Sequence, residues 1–307
     1  MFLPLLMQLL FQQISITQLE IPANLNINQV DYIEESVAIP NKKIIENKES
    51  IDVEMEATKA ISVDVDSGAI LYKKNIYEQQ AIASITKLMT AMVFLDQDLD
   101  LSQTVYMVES DEREGAYNHL YRNEALTLRN LLAASLIPSD NNATIALVRS
   151  TGMSLTEFVR LMNDKAVELG LENTVFSDPT GLDENNLSTA CDVAKMLYNA
   201  LQYPLISELT QKDSYFFTTI NTKRQVKLFS TDYLLNNELF TENGDYKILG
   251  GKTGFIDEAG YCFATKASYK NGNEVISVIL DSSTIDNRFQ DMKALLYWTF
   301  TNYEWEI

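Results

Sequence analysis

Three short runs of residues carry groups able to break an amide or ester bond without a metal or a histidine. Ser84-Ile85-Thr86-Lys87 is the only Ser-x-x-Lys in the chain, and the apolar run after it puts both side chains on one face of a helix's first turn. A serine hydroxyl is a weak nucleophile until its proton is removed, and a buried lysine removes it when desolvation and a neighbouring cation depress its pKa. At a helix N-terminus the backbone N–H of Ser84 is also free to stabilise an oxyanion. Ser139-Asp140-Asn141 follows Pro138 and opens a helical stretch. Its plain reading is a helix cap, which these residue types favour. Its chemical reading makes the Ser139 hydroxyl a proton relay to a leaving amine and Asn141 a polar strut for Lys87. Lys252-Thr253-Gly254 follows Gly250-Gly251 and leads into a β segment, as at a strand edge with room for close backbone approach. It reads equally as a surface turn. A phosphate loop is excluded, because Gly-x-x-x-x-Gly-Lys-Thr needs a glycine where Tyr246 stands and no helix follows.

The elements that must position these groups are legible from periodicity. Ala60–Val65 alternates, Asp66-Ser67-Gly68 supplies turn chemistry, and Ala69–Tyr72 resumes as a second strand. Tyr261–Tyr269 and Val275–Leu280 form a second hairpin about Asn271-Gly272-Asn273. Between the hairpins the pattern is helical. Ser84–Leu95 is apolar almost all round, the mark of a buried central helix. Further helices are predicted over Leu128–Ser135, Asn141–Ser150, Leu155–Leu169 and Thr189–Leu201, and a last one over Arg288–Tyr303. Strands at both ends of a domain with helices inserted between them predict an α+β fold, an antiparallel sheet flanked by helices plus an all-helical lobe.

The 307 residues, 46% of them apolar, are enough for a full hydrophobic core. With 24 basic against 43 acidic residues, the net charge of −19 repels nucleic acid and anionic lipid. Cys191 and Cys262 lie far apart and form neither a metal cluster nor a disulfide framework, so both read as small core residues. The single histidine, His119, follows Tyr117-Asn118 and reads as a surface or structural side chain. Met1–Phe11 is an apolar run of signal-peptide length, without a basic flank or a clear cleavage site. Residues 1–19 are therefore expected to be a signal or an N-terminal anchor that exports the chain. Residues 20–56, polar and aperiodic, are expected to be a largely disordered tether. The catalytic domain is expected to span 57–307.

Taken together, the order Ser-x-x-Lys, Ser-x-Asn, Lys-Thr-Gly resembles the serine penicillin-recognising enzymes. The surrounding residues are similar to the low-molecular-mass D-alanyl-D-alanine carboxypeptidases. Ala83–Ala91, Lys252–Phe255, Ala259–Cys262, Phe158–Asn163, Leu169-Gly170, Phe176, Pro179–Leu182 and Ser188–Ala190 match in order, so the resemblance spans about Ala57 to Tyr303. It implies that Ser84 attacks the D-Ala-D-Ala carbonyl and Lys87 takes its proton. Ser139 and Lys252 pass a proton to the departing D-alanine, the amides of Ser84 and Phe255 form the oxyanion hole, and Thr253 and Arg288 hold the terminal carboxylate. Gly254 belongs to the same substrate-binding strand. The implied partners are peptidoglycan stem peptides ending in D-Ala-D-Ala, and β-lactams as covalent inhibitors; no cofactor or metal is implied, and any membrane attachment comes through the N-terminus. The family's Asn-Thr-Asn is here Ser230-Thr231-Asp232, and its His-Gly-Leu is Thr180-Gly181-Leu182.

Three alternatives remain beside the carboxypeptidase. A D,D-endopeptidase uses the same atoms. A class A β-lactamase adds a loop glutamate in Glu-x-x-Leu-Asn, which Asp178–Asn185 lacks. A non-enzymatic wall-associated module has no need of the retained Ser84, Lys87, Ser139, Asn141 and Lys252.

Overall fold

The computed structural model describes residues 43–46, 51–113, 119–240, 244–270 and 272–306. The expected signal, most of the expected tether, Tyr117-Asn118 and the turn residue Asn271 lie outside them. The longer strands are Lys43–Glu46 (β1), Lys59–Asp64 (β2), Ile70–Lys74 (β3), Ser214–Thr218 (β4), Gln225–Phe229 (β5), Tyr246–Ile256 (β6), Gly260–Tyr269 (β7), Glu274–Ser282 (β8) and Tyr303–Glu306 (β9). The helices are Lys87–Leu95 (α1), Leu128–Leu136 (α2), Asn141–Ser150 (α3), Leu155–Glu168 (α4), Ala190–Ala200 (α5), Pro204–Thr210 (α6) and Ile285–Asn302 (α7).

Both predicted hairpins join one antiparallel sheet of order β6-β7-β8-β2-β3. The run Val275–Leu280 is apolar except at Ser277 because β8 is covered on both faces. Ile276, Val278 and Leu280 point into a core shared with the helical lobe, while Val275 and Ile279 point into a second core beneath α7. Ser62 and Ser277 are cross-strand neighbours in this buried layer and satisfy each other, their hydroxyls 3.0 Å apart. The α+β architecture predicted from the order of the elements is therefore the one observed.

α1 runs through the middle of the helical lobe, with every residue from Lys87 to Phe94 buried. Its all-round apolar surface is what α2, α3, α4 and α5 pack against. α3 begins and ends where periodicity puts it, with Asp140 capping the Ala143 amide at 2.9 Å.

Several boundaries differ from the sequence reading. Within the stretch expected to be a tether, β1 pairs antiparallel with β9. Residues 51–57 are docked on α7: Trp298 Nε1 donates to the Ile51 carbonyl at 2.8 Å, and the Asp291 carboxylate accepts from the Glu56 and Ala57 amides at 3.0 and 2.9 Å. A four-residue strand whose partner lies at the other end of the chain has no local signal. The last helix starts at Ile285 rather than Arg288, capped by Thr284, and gives way to β9. The β4–β5 hairpin and the short α6 were not predicted. Cys262 is fully buried as expected, whereas Cys191 is only half-buried at the edge of the core. No helix among the described residues is long and apolar enough to cross a membrane.

Candidate active site

The turn that carries Ser84 departs from the expected α-helical geometry. Ala83–Thr86 is a 3-10 turn, and the α-helix starts only at Lys87. Side chains three apart eclipse one another in a 3-10 helix, and Lys87 Nζ accordingly sits 2.9 Å from Ser84 Oγ. The same ammonium nitrogen donates to Asn141 Oδ1 at 2.7 Å and to the Thr180 carbonyl at 2.6 Å. Lys87 is completely buried whereas Ser84 is partly exposed, so the amine is dry while the serine stays accessible to solvent.

Desolvation pushes the Lys87 amine down to about 7, against the opposing pull of the Asp178 and Asp140 carboxylates. The sequence reading assigned part of this depression to a second cation. The structure shifts that effect to Lys252, which burial and the neighbouring Lys87 and Arg288 charges hold well below the ordinary lysine value, with Asp232 opposing.

The second motif divides its labour. Asp140 is the helix cap, Asn141 turns inward to Lys87, and Ser139 accepts from Lys252 Nζ at 2.9 Å. Ser139 achieves this with φ of +67°, a left-handed conformation that serine adopts only under constraint. The cap falls on Asp140, and the contacts with the two lysines fall on the residues either side of it.

The third motif lies on β6, the edge strand of the main sheet. Lys252 Nζ also donates to the Thr253 carbonyl at 2.9 Å, and Thr253 Oγ1 lies 2.6 Å from Thr231 Oγ1. Gly254 brings the strand against the nucleophile: a β-carbon there would stand 3.0 Å from the Ser84 amide nitrogen and 2.8 Å from the Ile82 carbonyl oxygen. The Ser84 amide therefore lies against the strand that carries the Phe255 amide in its next residue. The Phe255 ring is half-exposed and stacks on Tyr261 with centroids 4.2 Å apart. Arg288, in the first turn of α7, is buried, reaches the Gly254 carbonyl at 3.3 Å and lies over the Tyr261 ring. All the residues predicted from the three motifs, and Arg288, thus converge around Ser84.

Sequence reasoning missed the loop that supplies the third acceptor for Lys87. Asp178 accepts from the Thr180 and Gly181 amides and from Asn186 Nδ2, and Thr90 Oγ1 donates to the Pro179 carbonyl at 2.6 Å. These bonds fix the Thr180 carbonyl, a backbone atom that no residue type advertises. Thr231 was visible only as the middle residue that Ser230-Thr231-Asp232 shares with the family's Asn-Thr-Asn. Glu184, the only glutamate of the Asp178–Asn185 segment, is exposed. His119 keeps its structural reading: its amide donates to Asp140 Oδ2 at 3.1 Å and its Nδ1 lies 3.5 Å from the same oxygen.

Comparison with known proteins agrees with this geometry. The sequence profile of the D-alanyl-D-alanine carboxypeptidase family matches residues 45–284. A D-alanyl-D-alanine endopeptidase of Pseudomonas aeruginosa is 32% identical over 250 residues, which is 81% of this chain and 78% of that protein. The D-alanyl-D-alanine carboxypeptidase DacF of Bacillus subtilis is 34% identical over 266 residues, 84% of this chain and 66% of that one. The solved Streptomyces K15 DD-transpeptidase superposes with a TM-score of 0.76 at 26% identity, over 82% of this chain and all of that one. Penicillin-binding protein D2 of Listeria monocytogenes, solved with cefotaxime bound, superposes with a TM-score of 0.70 at 30% identity, again over 82% of this chain and all of that one. The chain belongs to the D-alanyl-D-alanine carboxypeptidase family of serine D,D-peptidases.

Proposed function

We propose that the protein removes the terminal D-alanine of peptidoglycan stem peptides through an acyl-enzyme on Ser84. The observation that carries this reading is the single amine of Lys87, buried and hydrogen-bonded to Ser84 Oγ, Asn141 Oδ1 and the Thr180 carbonyl. An amine with a pKa of about 7 is neutral in a large fraction of molecules at neutral pH and can act as a base.

In the first half-reaction Ser84 Oγ attacks the carbonyl carbon of the penultimate D-alanine while Lys87 Nζ takes its proton. The developing oxyanion meets the Ser84 and Phe255 amides. Collapse breaks the C–N bond, and the proton that Lys87 took passes through Ser139 Oγ, which Lys252 Nζ contacts, to the leaving amine, so that Lys87 is neutral again. Thr253 Oγ1 and Arg288 hold the carboxylate of the departing residue. Water then attacks the ester carbonyl, Lys87 again serving as base, and Ser84 is regenerated. The edge strand β6 offers its backbone to an extended peptide beside the nucleophile. A substrate outside the cytoplasm and the apolar first residues together support export.

β-Lactams, which present a strained amide and a carboxylate to the same atoms, are expected to acylate Ser84. Fluorescent penicillin is expected to label the wild-type protein covalently and to leave a folded Ser84→Ala variant unlabelled; labelling that persists in the variant overturns the assignment. Incubation with a purified pentapeptide and with a cross-linked dimer separates carboxypeptidase from endopeptidase, since the first releases free D-alanine and the second yields two monomers. The endopeptidase reading has support of its own in the 32% identity to the Pseudomonas endopeptidase.

A further inference from the structure

Asp232 is buried in this site, and no step above uses it. Its place is fixed from two sides. The preceding residue is pinned to β6 by the 2.6 Å contact between Thr231 Oγ1 and Thr253 Oγ1. The following residue is pinned to α7, because the Tyr233 ring stacks on Phe289 with centroids 5.0 Å apart. Lys252 and Arg288 are the chain neighbours of those two anchors. The Arg288 guanidinium itself lies over the Phe289 ring, 4.8 Å from its centroid.

The carboxylate is half-used. Oδ1 caps the 3-10 turn Tyr233–Asn236 by accepting from the Leu234 amide at 2.9 Å. Oδ2 is buried with no hydrogen-bond partner, and Arg288 Nε is buried with none either. Buried polar atoms without partners are costly, so the Asp232 oxygen and the Arg288 nitrogen each call for an explanation in the working of the site.

We propose that Asp232 is a positioning residue that shares the Lys252–Arg288 cation pair with the substrate's terminal carboxylate, so that the site takes an anionic C-terminus more tightly when Asp232 carries a proton. The proposal rests on the carboxypeptidase reading. Arg288 is charged at every working pH. With Asp232 ionised, an arriving carboxylate meets a cation pair already partly neutralised and a like charge in a dry pocket. With Asp232 protonated, that repulsion is gone.

The switch falls in the physiological range because burial pushes the Asp232 carboxyl up to about 7, opposed by the Leu234 amide and by the charges of Arg288 on α7 and Lys252 on β6. Those two cations are themselves faced by Lys87 on the Lys252 side and by Tyr233, Tyr261 and Cys262 on the Arg288 side. By linkage, a carboxylate that binds better to the protonated form must draw a proton in as it binds.

The test is the pH dependence of D-alanine release from a pentapeptide by wild type and by Asp232→Asn. In wild type KM is expected to rise about tenfold between about pH 6 and about pH 8, whereas in the variant it stays low and nearly flat. A variant whose KM rises in parallel with wild type overturns the proposal. Should the variant fail to fold, calorimetry of a D-Ala-D-Ala peptide binding to Ser84→Ala protein, in buffers of different ionisation enthalpy near pH 7, reads the same quantity. Fractional proton uptake that persists when Lys87→Met is added to the Ser84→Ala protein supports the proposal and none overturns it. Wild type that releases no D-alanine from any such peptide removes the carboxypeptidase reading and this proposal with it, whereas release with parallel KM profiles removes only the role of Asp232.

Discussion

Gly181 is pressed against Ala83 so closely that a β-carbon on the glycine would stand 2.0 Å from the Ala83 carbonyl oxygen and 2.8 Å from the Ser84 amide nitrogen. Both residues are left-handed, Gly181 at φ of +86° and Ala83 at +49°. The Asp178–Asn186 loop is thereby seated on the nucleophile turn, and this contact brings the Thr180 carbonyl within 2.6 Å of Lys87 Nζ.

Gly181→Ala combines a forbidden φ with a backbone collision, so it is expected to destabilise the protein by about 2–4 kcal/mol. The loop can relieve the collision only by lifting away from Ala83, which takes the Thr180 carbonyl from Lys87. Penicillin labelling of the folded fraction is expected to slow at least about tenfold, and thermal unfolding monitored alongside separates the two effects. Labelling at the wild-type rate would show that the Thr180 carbonyl is dispensable.

The base must be neutral to accept a proton. Acylation is therefore expected to rise through pH about 7 as Lys87 loses its proton, following the value to which burial pushes this amine. Asn141→Asp sets a negative charge where an amide oxygen now lies 2.7 Å from Nζ. It stabilises the ammonium form, and the acidic limb is expected to move to higher pH. Stopped-flow acylation across pH reads this directly; an unmoved limb would separate it from Lys87.

Ser139 holds an unfavourable φ of +67° to bring its hydroxyl to Lys252. Ser139→Gly relaxes the backbone and is expected to stabilise the fold by up to about 1 kcal/mol. The same change removes the proton relay, so D-alanine release is expected to fall by roughly a hundredfold. Opposite movements of Tm and kcat are the signature of strain maintained for function; a variant that loses stability and keeps its activity contradicts it.

Trp305 donates from Nε1 to Asp64 Oδ1 at 2.7 Å, packs on Phe300 and Tyr303, and anchors the β1–β9 pair to the sheet. Trp305→Ala is expected to lower stability by about 2–3 kcal/mol through lost packing and an orphaned carboxylate oxygen. The site strand β6 is three strands away from β2, where Trp305 is anchored, so penicillin labelling at low temperature is expected to stay within about twofold of wild type. Loss of labelling without loss of Tm would tie the terminal ribbon to the site instead.

The sequence determined the parts whose reasons are local. Alternation and turn residues marked the two hairpins, the all-apolar run marked α1, and the residues Asn141–Ser150 bounded α3 as observed. The side-chain chemistry of Ser84, Lys87, Ser139, Asn141 and Lys252 was legible too, because hydroxyls, amines and amides announce what they can donate or accept. Tertiary structure decided what depends on a partner distant in the chain. The Thr180 carbonyl became a ligand of Lys87 only because the Asp178–Asn186 loop folds onto Ala83. β1 became a strand only because Tyr303–Glu306 offered it a ladder. Above all, the protonation behaviour of Lys87, Lys252 and Asp232 is set by burial. Desolvation is exerted by everything packed around a group, most of it far away in sequence, and no residue encodes its own dielectric surroundings.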